Sequence, residues 1–300
     1  MSSSLMPASD VIAAGQRPCC RYARFHDERP RRERFYPSDM TDGEWAVLEP
    51  LLPAPACTTA GGGHPERYCR REIVDALRYL VDQGCKWRGL PRDFAPWKRV
   101  YAYFVRWEKA QVSEQVVDEL RRRVRAAAGR DPEPSAAIID SQSVRAAATV
   151  GRETRGWDNG KKVTGRKRHI AVDTLGLLIC VFVSPANVQD RDAARVLLGL
   201  LHLVCPRVKL VWADGGYAGA LVKTAKRYWS LTLEIVKRSD AAKGLFVLLP
   251  RRWVVERSFA HLSHARRTVR DYERLEETHE AMVRWAAIRL MTRLATQHTT

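Results

Sequence analysis

Two short apolar runs in this chain end in an aspartate, and that pattern constrains the fold more than any other feature. Val208-Lys209-Leu210-Val211-Trp212-Ala213 leads into Asp214, and Ala136-Ala137-Ile138-Ile139 leads into Asp140. Short runs this apolar read as strands buried on both faces, as in a sheet covered by helices. Gly215 and Gly216 free the backbone for a sharp turn after Asp214, and Ser141-Gln142-Ser143 follows Asp140. In an open α/β sheet the chemistry gathers at the carboxyl ends of the strands, where both aspartates would sit. A lone Asp-Gly is more often a turn or a cap, so the pair carries the reading rather than either residue.

The rest of the second half fits such a sheet. His169 to Asp173 and Leu177 to Val183 read as strands joined through Thr174-Leu175-Gly176 as a hairpin. Asn187 to Asp190 reads as the cap of a helix over 191–204, with Asp190 as a capping residue and Asp173 as a strand-end turn residue. After the Asp214 strand come a helix near 219–229, a strand Leu233 to Val236, a long helix beginning near Arg252, and a last helix around Trp285 and Ile288. The order predicts an α/β fold, a mixed sheet flanked by helices over 136–297.

The first half is helical. Thr41-Asp42-Gly43-Glu44 has the form of a capping box, followed by Trp45, Leu48, Leu51 and Leu52 at helical spacing. A second helix spans 71–83 and stops at Gly84; a third starts at Pro96 and carries Val100, Phe104 and Trp107. Lys98, Arg99 and Arg106 fall on its other surface, and the pair resembles a helix-turn-helix with a long turn. A fourth helix, 112–128, turns Val116, Leu120 and Val124 inward and Arg121, Arg122, Arg123 and Arg125 mostly outward. The expected organisation is a disordered basic arm over 1–35, a helical DNA-binding domain over 36–128, a linker over 129–135, and the α/β domain.

Charge narrows the partner. Lys and Arg outnumber Asp and Glu by 51 to 34, a net charge of +17. Such an excess points to nucleic acid; no basic amphipathic helix with a strong apolar face suggests a membrane surface instead. No apolar run approaches the ~18 residues of a membrane span. The N-terminal MSSSLMPASDVIAAG lacks the basic start and apolar core of a signal peptide, so the cytoplasm, in association with the nucleoid, is the expected location. Seven cysteines, none in a CxxC pair, predict neither a zinc site nor a disulfide framework.

Strand-end carboxylates on neighbouring strands can share Mg²⁺, which takes oxygen ligands and is commonly completed by substrate phosphate. A basic protein built this way suits phosphodiester chemistry. Glu256 offers a third carboxylate, on a helix whose Val255, Phe259 and Leu262 form an apolar stripe. Arg252, Glu256, Ser263 and Arg267 share a neighbouring stripe at 100° per residue. Taken alone, the commoner reading of Arg252 and Glu256, four residues apart, is an intrahelical ion pair. Between Gly151 and Ile170, Arg152, Arg155, Lys161, Lys162, Arg166, Lys167 and Arg168 face only Glu153 and Asp158. That segment reads either as a grip on the DNA backbone or as a solvated hairpin.

The strings IIDSQSV, GKKVTGRKRHIAVDTLGLL, PANVQDRD, ADGGYAG and LPRRWVVERSFAHL resemble those of bacterial insertion-sequence DDE transposases, the insertion-sequence family five group in particular. YPSDMTDGEWAVLEPLLP and REIVDALRYLVDQGCKWRGLPRDF resemble that group's N-terminal domain, so the resemblance runs from about residue 36 to 297. It implies a ribonuclease-H-like catalytic domain in which Asp140, Asp214 and Glu256 bind two Mg²⁺ (or Mn²⁺). The spacings, 74 and 42 residues, leave no room for a large insertion domain before the last carboxylate. Related transposases often carry Tyr-x-x-Arg-x-x-x-Glu-x-x-x-x-x-x-Lys; here Arg252 and Glu256 match, while Leu249 and Ser263 stand at the tyrosine and lysine positions. Arg267 or Arg266 is expected to replace that lysine. The DNA-binding residues expected are Lys98, Arg99, Lys161, Lys162, Arg166, Lys167, Arg168, Arg252 and Arg267. The partners expected are double-stranded DNA, as element ends and target, and a second copy in a homodimeric active complex. The alternatives are a catalytically silent DNA-binding regulator and an RNA-binding protein on the same scaffold.

Overall fold

The apolar runs pair into one sheet, and its register decides which side chains meet. The computed structural model describes residues 32–64, 66–236 and 252–297. Six strands are formed among them: β1 (Ala136–Arg145), β2 (Gly156–Asp158), β3 (Val163–Asp173), β4 (Leu178–Pro185), β5 (Leu210–Ala213) and β6 (Thr232–Ile235). The path is β4-β3-β1-β5-β6, with β2 added to the start of β3. β3 is antiparallel to both β1 and β4, whereas β1, β5 and β6 run parallel. This is the ribonuclease-H-like mixed sheet expected.

Helices cover both faces. They are α1 (Asp42–Leu48), α2 (Arg70–Gln83), α3 (Trp97–Lys109), α4 (Val112–Ala127), α5 (Asp190–Val204), α6 (Ala220–Trp229), α7 (Arg252–Ser263), α8 (Arg266–Val269) and α9 (Glu276–Gln297). Because strand side chains alternate, Ala137, Ile139, Val211 and Ala213 join one core with Leu197 and Leu201 of α5 and Leu221 of α6. Ile138 and Trp212 join the other, with Val255 and Phe259 of α7.

That second core does not stop at the sheet. It continues through α9 into α1, α2, α3 and α4, where Trp107 and Trp285 stack with centroids 6.1 Å apart. The 129–135 segment therefore marks a change of pattern in the sequence, while the packing runs across it. Burying a large apolar side chain contributes roughly 1.5–3 kcal/mol, so a helix with Met282, Trp285, Ile288 and Met291 all buried binds the helical and sheet regions firmly together.

The helical half forms largely as its sequence directs. The Thr41–Glu44 capping box is closed in both directions, and Gly84 caps α2 with φ 67°, a left-handed conformation that glycine accepts without steric cost. α1 ends at Leu48, and Leu51 follows in a 3₁₀ turn. Two arginines of α4 differ from expectation. Arg121 and Arg125 are buried, not outward. Arg125 Nη1 meets Asp173 Oδ2 at 2.6 Å, and Arg121 bonds Asp118 and, at 3.1 Å, Cys205 Sγ. α4 has two buried faces, one towards α9 and one towards the sheet, and the second is filled by paired charges rather than by the apolar stripe. Arg122 and Arg123 do lie outward.

Residues 1–31 of the expected arm lie outside the described residues. Arg32 belongs to the fold: it bonds Asp39 and Asp93 and sits 4.0 Å over the Phe94 ring. Cys69 is disulfide-bonded, where no disulfide framework was expected; Cys57, Cys85, Cys180 and Cys205 are free. No helix among the described residues is long and apolar enough to cross a membrane.

Candidate active site

Ile138 pairs directly with Trp212 across the parallel β1–β5 ladder. Asp140 and Asp214 each lie two residues further on, so both point to the same face from adjacent strands, which run ~4.8 Å apart. That face is the one α7 covers. Val254, Val255, Phe259 and Leu262 anchor α7 in the core, and the exposed Glu256 is left at the edge facing the two aspartates. The three carboxylates expected to act together are therefore brought together.

One atom measures their convergence. Arg252 Nη2 stands 3.6 Å from Glu256 Oε1, 3.7 Å from Asp214 Oδ2 and 4.0 Å from Asp140 Oδ2. The ion pair read from the spacing of Arg252 and Glu256 exists, but it is one part of a four-membered cluster. Asp140 Oδ1 accepts the Ser141 N–H at 2.7 Å, and Asp214 accepts the Gly216 N–H at 2.8 Å. Burial, with Asp214 and Glu256 close by, pushes the Asp140 carboxyl up to about 6, against the Ser141 N–H and Arg252.

The donor chemistry of these groups is that of a hard-cation site. All the donors are carboxylate oxygens, and one positive charge already sits at their centre. Among the described residues no group of three His, Cys, Asp or Glu side chains is arranged to hold a metal ion as it stands, and the positive charge between the three carboxylates is that of Arg252.

The basic residues divide. Lys98 and Arg99 are exposed at the start of α3; Lys161 and Lys162 are exposed in the β2–β3 turn, where Lys162 has φ 55° and donates to Asn159. Arg166, Lys167 and Arg168 do not lie on the surface as expected. β3 begins at Val163, six residues before the predicted strand, and all three are buried within it. Arg166 bonds Asp271 Oδ2 at 3.0 Å and Thr154 Oγ1 at 2.6 Å, and Arg168 bonds Gln142 Oε1 and, at 2.8 Å, Thr268 O. Burial pushes the Arg168 guanidinium down to about 10. Lys167 Nζ reaches Asp190 and Val188 O on the opposite face. A run of cations reads as solvated from sequence, because nothing local reveals the internal carboxylates and carbonyls that receive it.

Arg267 also differs. α7 stops at Ser263, so the common stripe with Glu256 is broken, and Arg267 turns inward to Glu273 Oε1 and Cys85 O, each at 2.7 Å. The expectation that it grips DNA beside Glu256 is corrected; Arg266 is the exposed member of the pair. Arg267→Ala should destabilise the fold by about 3 kcal/mol through an unpaired Glu273, measured by urea unfolding, with DNA affinity of the folded fraction unchanged.

Asp190 does not take the helix-cap position expected of it. The cap is Gln189, and Asp190 is the first helical residue, bonded to Ser141 Oγ at 2.9 Å. Its place beneath Asp140 has no local signal in the sequence.

Residues 131–291 match the family model described as "Transposase DDE domain". The chain belongs to the DDE transposase family. Residues 40–117 match a second model, "Putative transposase of IS4/5 family", which agrees with the N-terminal resemblance. Two relatives come from Burkholderia cepacia. The "Putative transposase for insertion sequence element IS402" is 33% identical over 128 residues, 40% of this chain and 59% of that protein. The "Insertion element IS402 uncharacterized 16.2 kDa protein" is 27% identical over 113 residues, 36% of this chain and 73% of that protein. The match thus spans about three fifths of the first relative's length. DDE transposases as a family use divalent metal ions, in keeping with the oxygen-only donors found here.

Proposed function

We propose that this transposase binds the terminal inverted repeats of an insertion sequence, cleaves the DNA at its ends and joins the freed 3′-hydroxyls to target DNA. The observation that carries this reading is the register that sets Asp140 beside Asp214 with Glu256 opposite. Two Mg²⁺ (or Mn²⁺) held by the three carboxylates would supply activation of the attacking oxygen and stabilisation of the leaving one. Asp140 and Asp214, fixed by backbone N–H groups, orient the donors; Glu256, on a helix edge, closes the set from the other side. Arg252, released from the carboxylates, is placed to meet a phosphate oxygen with its planar fork. No covalent link between enzyme and DNA is required, and no histidine or serine is given a catalytic part. The active complex on paired ends is proposed to be a homodimer, acting on the nucleoid.

DNA flanking the reading frame should contain imperfect inverted repeats. A duplex carrying one should be cut at the element end by the purified chain in Mg²⁺ and left intact in EDTA. Binding without cutting under every metal condition would leave the silent regulator in its place.

The exposed cations supply the grip. Lys161→Ala and Lys162→Ala should each lower affinity for any duplex, and the slope of log K against log salt should fall by about 0.9 for each phosphate that is no longer neutralised. Lys98→Ala with Arg99→Ala should lower the preference for element ends over random duplex, if α3 reads them. An unchanged salt slope, or unchanged discrimination, would move the DNA-binding surface elsewhere.

A further inference from the structure

The two strands that carry the aspartates separate just where the aspartates stand. β1 and β5 pair at Ala136–Leu210, Ala137–Val211 and Ile138–Trp212, and β5 ends at Ala213. Beyond Ile138, β1 runs on to Arg145 with β3 on one side and no β5 on the other. The backbone at Asp140 and Ser141 therefore lacks half of the ladder that would fix it. Asp140 nonetheless depends on that backbone, because its Oδ1 accepts from the Ser141 N–H.

What replaces the missing ladder lies on the reverse face. Ser141 follows Asp140 by one residue, so its side chain points away from α7 and towards α5. There Ser141 Oγ donates to Asp190 Oδ1 at 2.9 Å. The same Oδ1 meets Lys167 Nζ at 3.1 Å, and Lys167 Nζ also donates to Val188 O at 3.0 Å in the turn just before α5. Lys167 is buried, with Asp158 3.8 Å away as its other carboxylate neighbour. Tyr217, buried after the Asp214 turn, closes the other side, its hydroxyl beside Ser141 without a well-formed hydrogen bond. α5 is itself rooted in the core by Ala194, Leu197 and Leu198. A helix packed into the core thus reaches under the part of β1 that is paired on one side only, and meets it at Ser141.

We propose that Asp190 is a positioning residue for Asp140, acting through Ser141 from the opposite face of the sheet. It rests on the reading of Asp140 as a metal ligand. Asp190 has its Oδ1 occupied by Ser141 and Lys167 and its Oδ2 towards Gly216, beside Asp214; tied in this way from α5, it serves the first carboxylate without joining the ligand set. Lys167, expected from sequence to touch DNA, has its role here: it holds Asp190 in place and balances its charge.

The test is Mn²⁺ binding by the full chain without DNA, followed by the paramagnetic resonance signal of free Mn²⁺, alongside thermal unfolding. Outer partners that orient a ligand typically contribute about 10–100-fold to metal affinity, so Ser141→Ala and Asp190→Ala should each weaken Mn²⁺ by about tenfold or more. Ser141→Ala removes one oxygen and keeps every charge, which makes it the decisive variant should Asp190→Ala fail to fold. The double variant should bind no worse than the weaker single one, because both break the same chain of contacts. Asp190→Asn keeps an acceptor for Ser141 and loses the charge facing Lys167; it should melt at a lower temperature while Mn²⁺ binding stays near wild type. Mn²⁺ binding lost in Asp190→Asn as fully as in Asp140→Asn would make Asp190 a direct ligand and overturn the proposal. Wild-type binding in Ser141→Ala would also overturn it, leaving the metal site itself intact. A wild-type chain that binds no Mn²⁺ would bring down the site reading together with this one.

Discussion

Asp140→Asn and Asp214→Asn should each lower cleavage of an element end by about 10³-fold or more, since metal chemistry supplies several kcal/mol to the transition state at about 1.36 kcal/mol per tenfold in rate. DNA affinity should scarcely change, because neither carboxylate pairs with the exposed cations at 98–99 and 161–162. The Asp140 variant carries a second, opposite signature. Its carboxyl is raised to about 6 from 3.8, chiefly by burial, so the folded metal-free protein is penalised for ionising it. At about 1.36 kcal/mol per pKa unit the penalty is about 3 kcal/mol at neutral pH. A raised carboxylate binds its proton more tightly folded than unfolded. The penalty therefore grows as pH rises from about 4 to about 6 and stays constant above. Asp140→Asn should then be more stable than wild type in EDTA at pH 7, and equal to it near pH 4. A residue kept for packing would lose stability when replaced. Cleavage near the wild-type rate in either variant, in an end-cutting assay, would remove that residue from the site.

The two aspartates are legible because a buried strand that runs into a carboxylate is a local pattern, and the sequence states it twice. Glu256 is legible only through the family resemblance of its string, because its own neighbour Arg252, four residues before it, points first to an intrahelical ion pair. What joins the three is register, and Ile138 opposite Trp212 is a fact of pairing that no single segment contains. Strand length is hidden for a related reason. β1 continues through Ser141-Gln142-Ser143 and β3 begins at Val163, where polar and basic residues look like loop. They are strand because each polar group finds a partner inside: Ser143 on Asp158, Gln142 on Arg168, Arg166 on Asp271. The packing across 129–135 is equally invisible locally, because α9, last in the chain, packs on α1, α2 and α4, and a reading in chain order meets it only at the end.

Asp271→Asn should cost about 3–5 kcal/mol of stability, the usual effect of leaving a buried charge without its partner, here Arg166. Asp271 and Arg166 are almost fully buried and meet at 3.0 Å. Asp271 also holds His279 of α9 through Oδ1 at 2.9 Å and accepts the Glu273 N–H, so one carboxylate ties β3 to α9. Burial alone would push its carboxyl up, but the His279 hydrogen bond and charge, the Glu273 N–H and Arg166 together hold it below the usual carboxylate range. The sign follows from that depression. The stabilisation is present above the unfolded value near 3.8 and is lost as pH falls through the lower folded value, so acid unfolding should begin only below about pH 4. In Asp271→Asn that acid-dependent part should vanish from the unfolding curve. Arg166→Met alone should be similarly destabilised, having stranded Asp271, whereas Arg166→Met combined with Asp271→Leu should recover much of the loss, since well-packed apolar residues can replace a buried ion pair. These outcomes separate a structural Arg166 from one that grips DNA. If Arg166 contacted a phosphate, the double variant would fold and still show a salt slope lowered by about 0.9. A buried Arg166 predicts a double variant that folds and binds duplex with the wild-type slope.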